Sequence, residues 1–103
     1  MTEGIDATFC RILLNRLRDD FKEAGVKLDG KPVNLRDKRF WVYSYSDGTW
    51  EFHGPNEFYW SGRADNAYDA RYKGWRAWAA MYSPEWQKFE AEAEAEAKAE
   101  SVN

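Results

Sequence analysis

Between Phe40 and His53, aromatic residues recur at every second position on both sides of an Asp47-Gly48 pair. A repeat of two is the side-chain period of a β-strand, and Asp-Gly between two such runs suits a type I′ turn. Phe40 to Tyr45 and Thr49 to His53 therefore read as a hairpin. A two-residue loop would pair Tyr45 with Trp50 and Tyr43 with Phe52. Trp41, Tyr43, Tyr45, Trp50 and Phe52 would then share one face, with Val42, Ser44, Glu51 and His53 on the other. A three-residue loop would scramble that separation. Because a slip of one residue turns every side chain over, the segregated register is the expectation. Gly54-Pro55-Asn56 marks a second turn, and Phe58-Tyr59-Trp60 a short third strand ended by Gly62. Two strands alone are marginal in water, so a three-stranded antiparallel meander is expected.

Helices flank this sheet. Residues 6–24 place Phe9, Cys10, Leu13, Leu14, Leu17, Phe21 and Ala24 on one arc, with Asp6 as N-cap and Gly25 just past the end. Arg11, Arg18 and Lys22 form a basic stripe behind that arc. Asp29-Gly30 and Lys31-Pro32 mark a turn, with a short irregular hairpin around it. Residues 65–82 read as a second long helix with two apolar stripes. Tyr68, Tyr72, Trp75, Ala79 and Tyr82 make one; Ala67, Ala70, Gly74 and Met81 make the other. Together they cover roughly 220°, against a usual stripe of ~100°. One neighbour cannot cover so wide an arc, so the helix should touch the sheet and also either the first helix or an outside partner. Gly74 in mid-helix costs about 1 kcal/mol against Ala, which close backbone approach could offset. Asp65, Asp69, Lys73 and Arg76 read as the solvated side. Ser83-Pro84-Glu85 opens a further helix, with Ser as N-cap and Pro at N1. Trp86 and Phe89 can dock it. The Glu/Ala run that follows has no apolar seam and should be a solvated, fraying helix.

The fold expected is thus α+β: an N-terminal helix, a three-stranded antiparallel meander, then a long helix and a C-terminal helical acidic tail. Residues 1–90 form one domain and 91–103 the tail. A chain of 103 residues has room for no more. Cys10 is the only cysteine, so no intrachain disulfide can form. It is expected as a small buried hydrophobe rather than a reactive thiol. A lone thiol, no apolar run long enough to span a membrane, and no signal-peptide pattern at Met1-Thr2-Glu3-Gly4 give a cytoplasmic expectation.

The formal net charge is −3. Residues 1–84 are close to balance, and the acidic excess sits beyond them at Glu85, Glu90, Glu92, Glu94, Glu96 and Glu100. A dedicated nucleic-acid binder would carry a strong basic bias instead. Catalytic signals are sparse. His53 is the single histidine, which with one cysteine rules out a Cys/His zinc set on ligand count. Gly25 and Gly30 match neither dinucleotide-loop nor P-loop spacing, so no cofactor is expected. Glu51 and His53 should share a strand face near Ser44, a grouping that any half-polar strand can produce.

Six Trp, six Tyr and six Phe make 17% of the chain. A domain this small can hardly enclose them all, and surplus Tyr and Trp serve as interface anchors. Arg71 falls among Tyr68, Trp75, Trp78 and Tyr82 on the second helix. One reading is an arginine at the core edge, its stem buried and its head in water. The other is an Arg–aromatic surface cluster, the composition of a binding hot spot. On the second reading these five residues form the partner site or a homodimer contact.

Small size, aromatic richness, a charged tail and the lack of catalytic motifs make the chain similar in style to small accessory proteins of bacteriophages and mobile elements. That likeness implies a non-catalytic module that binds a protein and inhibits a host or defence complex by occupying a surface. The alternative is a nucleic-acid-binding accessory protein. It would stack bases on sheet aromatics and meet phosphates with Arg36, Lys38, Arg39, Arg11, Arg18 and Lys22. Three strands followed by an aromatic-rich helix resemble the general plan of small sheet-plus-helix DNA-binding modules.

Overall fold

The computed structural model describes residues 7–102; Asp6, expected as the first N-cap, lies outside the described residues. Helix α1 runs Ala7–Ala24 and buries Cys10, Leu17 and Phe21 on one side. It ends at Gly25, whose φ of +82° only glycine adopts freely. The Gly25 amide donates to the Lys22 carbonyl and the Val26 amide to the Phe21 carbonyl, the paired bonds of a Schellman cap. Val26 is buried where this cap turns the chain inward. Strands β1 (Lys27–Leu28) and β2 (Lys31–Pro32) form the small hairpin anticipated there. Asp29 and Gly30 both take positive φ, as a two-residue type I′ loop requires.

The main sheet holds β3 (Trp41–Ser44), β4 (Thr49–His53) and β5 (Tyr59–Arg63) in the order β3-β4-β5, all antiparallel. Its register corrects the expectation by one residue. Val42 pairs with Phe52 and Tyr43 with Glu51, so the loop is Ser46-Asp47-Gly48. Within that loop only Gly48 takes a positive φ, at +88°. Asp47 avoids one because its carboxylate accepts the Thr49 amide at 2.9 Å, while the Tyr45 amide donates to the Thr49 carbonyl. The faces change with the register. Phe52, Val42 and Trp60 turn inward, and half-buried Trp50 follows by alternation. Trp41, Tyr43 and Tyr45 turn outward, beside Glu51, His53 and Tyr59. Strand β5 also runs on through Gly62, which was expected to end it; the Trp60 ring lies over that glycine.

Helix α2 (Ala67–Tyr82) is capped by Asn66, whose side chain accepts the Asp69 amide at 2.9 Å. Asp69 reaches back to accept the Asp65 amide and pairs with Lys73 at 3.2 Å. That use of its carboxylate leaves Asp69 buried, rather than on a solvated face as expected. The helix lies between two surfaces. One side meets all three strands of the main sheet, and the other meets α1 and α3 (Pro84–Val102). Gly74 sits directly on Phe52, which explains a glycine in mid-helix. Trp75, fully buried, occupies the centre, 4.0 Å from Phe40 and within 6.3 Å of Phe21, Phe52 and Trp78 between ring centroids. Ser83 joins the last two helices. Its amide donates to the Ala79 carbonyl and its hydroxyl accepts the Trp86 amide. Trp86 docks edge-on to Phe21 at 4.7 Å, and Phe89 stacks on Trp86. From residue 91 to residue 99 every side chain is exposed. Among the described residues no helix is long and apolar enough to cross a membrane.

Candidate functional site

Among the described residues no element lies over the outer face of the main sheet, yet that face is strongly aromatic. Trp41 is 48% exposed, Tyr43 52%, Tyr45 44% and Tyr59 52%. Large rings are normally the first groups to leave water, because each can bury some 150–250 Å². Four left in solvent on one sheet face are therefore an uncovered patch rather than scattered exposure.

Strand pairing sets the patch out in rows. Trp41 lies opposite His53, and His53 opposite Tyr59. The Trp41 and His53 rings stack almost parallel, at 6° and 4.1 Å, and Tyr59 meets His53 edge-on at 5.2 Å. In the next row Tyr43 lies opposite Glu51, and Tyr43 meets Tyr45 edge-on at 5.0 Å.

Glu51 ties the rows together. Its carboxylate accepts the Tyr45 hydroxyl at 2.6 Å, a longer contact from the Tyr59 hydroxyl at 3.4 Å, and His53 Nε2 at 2.8 Å. Hydrogen bonds to the charged form favour it. The Tyr45 hydroxyl, then the His53 ring, hold the Glu51 carboxyl below its ordinary value. In return, the hydrogen bond to Glu51, some desolvation and the carboxylate charge push the Tyr45 phenol up to about 12. At neutral pH the centre of the patch is thus an anionic carboxylate with a protonated phenol donating to it. These bonds hold the Tyr45 and His53 side chains in place beside it.

Glu51 and His53 do share a face, as the sequence suggested. Ser44 does not join them: it pairs with Trp50 and points to the opposite side. The Tyr45 and Tyr59 hydroxyls address Glu51 rather than His53. Among the described residues no three His, Cys, Asp or Glu side chains gather where they could hold a metal ion.

Of the five residues singled out on α2, the fold keeps Trp75, Trp78 and Tyr82 in ring contact and sets Tyr68 and Arg71 apart from them. Trp75 and Trp78 belong to the core, at 0% and 5% exposure, so the expectation that they lie in a surface cluster is corrected. The middle of the wide arc that suggested an outside partner is covered by the sheet on one side and by α1 and α3 on the other, while Tyr68, Met81 and Tyr82 toward its ends stay exposed. Tyr82 stays half exposed, its ring 5.8 Å from Phe58 and 6.1 Å from Trp78. Tyr68 and Arg71 line a separate groove between α1 and α2. Cys10 is buried, with Asn66 Nδ2 at 3.5 Å from its sulfur. Among the basic residues considered for phosphate contact, Arg39 is already committed, at 2.8 Å to both Asp37 and Asp29.

The outer sheet patch was missed because the one-residue register shift exchanged inward and outward residues. The local signal that could have pointed to it is Asp47, which serves a three-residue loop with a single left-handed glycine as readily as a type I′ turn. Comparison of the chain with protein-family models, with curated proteins and with solved structures finds no match.

Proposed function

We propose that this chain is a non-catalytic binding module whose partner is a protein, held on the outer face of the main sheet. The observation that carries this reading is the uncovered group of Trp41, Tyr43, Tyr45 and Tyr59 around an ionised Glu51. Tyr and Trp supply large contact area with few rotatable bonds, which is why they dominate the centres of protein interfaces. The charge selects the chemistry. A carboxylate ringed by aromatic faces suits a Lys or Arg side chain, through ion pairing and cation–π contact together. A module of this kind acts by occupying its partner's surface, and inhibition of a host or defence complex is that reading carried to its consequence.

Base stacking by a nucleic acid is the second reading, favoured by the flat Trp41–His53 platform. Glu51 argues against it, because a phosphate backbone crossing the patch meets a negative charge at its centre. Charge reversal separates the two. Glu51→Lys should weaken a cationic protein partner by at least ~10-fold, the usual scale of an interface hot spot. If instead Glu51→Lys tightens binding, and nuclease or moderate salt abolishes it, the ligand is a nucleic acid and the proposal fails.

A further inference from the structure

The groove between α1 and α2, about 870 Å³ in volume, shares no residue with the sheet patch. Four arginines line it: Arg11 and Arg18 from α1, Arg36 from the segment before the sheet, and Arg71 from α2. Among the described residues no Asp or Glu lines it, although the chain as a whole carries a net charge of −3. Among the described residues, Arg18 reaches Asp19 at 3.5 Å, while Arg11, Arg36 and Arg71 have no ion-pair partner. Arg39, by contrast, is matched by two carboxylates. The lack of acids at the groove is thus local.

Four arginines with one nearby carboxylate, Asp19, make this concavity locally cationic, which favours an anionic ligand. Guanidinium forks match phosphate oxygens two at a time. Phosphate alone would not account for the rest of the wall. Tyr68 presents an exposed ring, and Asn15 an amide that can both donate and accept. A volume of this order is that of a small-molecule site rather than of one inorganic ion.

We propose that this groove binds a nucleotide unit, its phosphates held by Arg11, Arg18, Arg36 and Arg71 and its base laid against Tyr68. The unit is either a free nucleotide or part of a single strand; the chemistry is the same, and the length of the ligand distinguishes them.

The test is a calorimetric titration of the full chain with adenosine triphosphate, inorganic triphosphate and a ten-nucleotide single-stranded thymidine oligomer, each at 50 and 200 mM salt. Binding of adenosine triphosphate or of the oligomer, at least fivefold weaker for Arg71→Gln and for Arg11→Gln, supports the site. Weakening by salt supports it too, since phosphate contacts release counterions. Tyr68→Ala should reduce affinity for adenosine triphosphate but leave that for inorganic triphosphate unchanged. Melting curves of the three variants should match the wild type, so that lost affinity is not lost fold. An oligomer bound far more tightly than the mononucleotide identifies the strand as the ligand; equal affinities identify the free nucleotide. The proposal is overturned if no probe binds at millimolar concentration, if the arginine variants bind as well as the wild type, or if inorganic triphosphate binds as tightly as adenosine triphosphate.

Discussion

The backbone of Gly74 rests on the ring of Phe52: a methyl group added to the glycine would collide with Phe52 Cγ. Ala is favoured over Gly inside a helix by about 1 kcal/mol, so Gly74→Ala would stabilise an unobstructed helix. Here Phe52 is fully buried and has nowhere to move. Overpacking of this kind costs ~1–3 kcal/mol. Chemical denaturation of Gly74→Ala should therefore show a net loss of stability. A gain would mean that Phe52 does not lie under α2.

The same contact bears on the sheet register. With Val42 opposite Phe52, Phe52 is core and Tyr43 is surface. Phe52→Ala should cost ~3–5 kcal/mol, the usual penalty for emptying a buried aromatic site. Tyr43→Ala should stay near ~0.5 kcal/mol, as an exposed site does. The segregated register would put both residues on the buried face and make both substitutions expensive. Comparable large losses for the two variants would reinstate it.

Much of this architecture is legible in the chain, and the exceptions have physical causes. Gly25, Ser83-Pro84 and Asp29-Gly30 each announce a terminus or a reversal through local chemistry, and each stands where that chemistry puts it, while Asp47-Gly48 announces a reversal but not its loop length. The register is not announced, because Asp47-Gly48 fits two loop lengths. What decides between them is the long-range fit of Phe52 beneath Gly74. The width of the α2 arc was readable, but its cause was not. A helix lying between a sheet and two helices has the same pattern as one awaiting an outside partner, so Trp75 and Trp78 looked like surface residues. Arg11 and Arg18 formed a visible stripe, whereas only packing brings Arg36 and Arg71 to them.

Glu51 should leave a signature in pH titrations. Its carboxyl is held below the ordinary value, so its contribution to stability is present above that value and lost as pH falls through the lowered one. Tyr45 has the opposite sign. Its raised phenol favours the fold below the ordinary tyrosine value near 10, and that contribution is lost as pH rises toward about 12. Ultraviolet titration of Tyr45 in Glu51→Gln should bring the phenol back toward its ordinary range. An unchanged late titration would show that the carboxylate is not its cause.

The two halves of α3 should behave differently. Trp86 is buried against Phe21, so Trp86→Ala should cost ~3–5 kcal/mol. Residues 91–99 are exposed, and the Arg76–Glu90 pair at 2.7 Å lies before them. Deleting residues 91–103 should lower Tm by less than about 3 °C, the shift expected for ~0.5 kcal/mol in a domain of this size. A larger fall would show that the acidic half of the helix docks on the body.

Differential retention tests the binding face most directly. The wild-type chain and a Trp41→Ser/Tyr43→Ser variant are immobilised side by side and exposed to one nuclease-treated lysate of cells that carry the protein. The proteins retained are then quantified against each other, with matched melting curves as the control for folding. The account expects at least one protein to be held ~10-fold less by the variant, with Tm essentially unchanged, because both side chains are exposed and central to the patch. Identical retention by the two equally folded chains would contradict it.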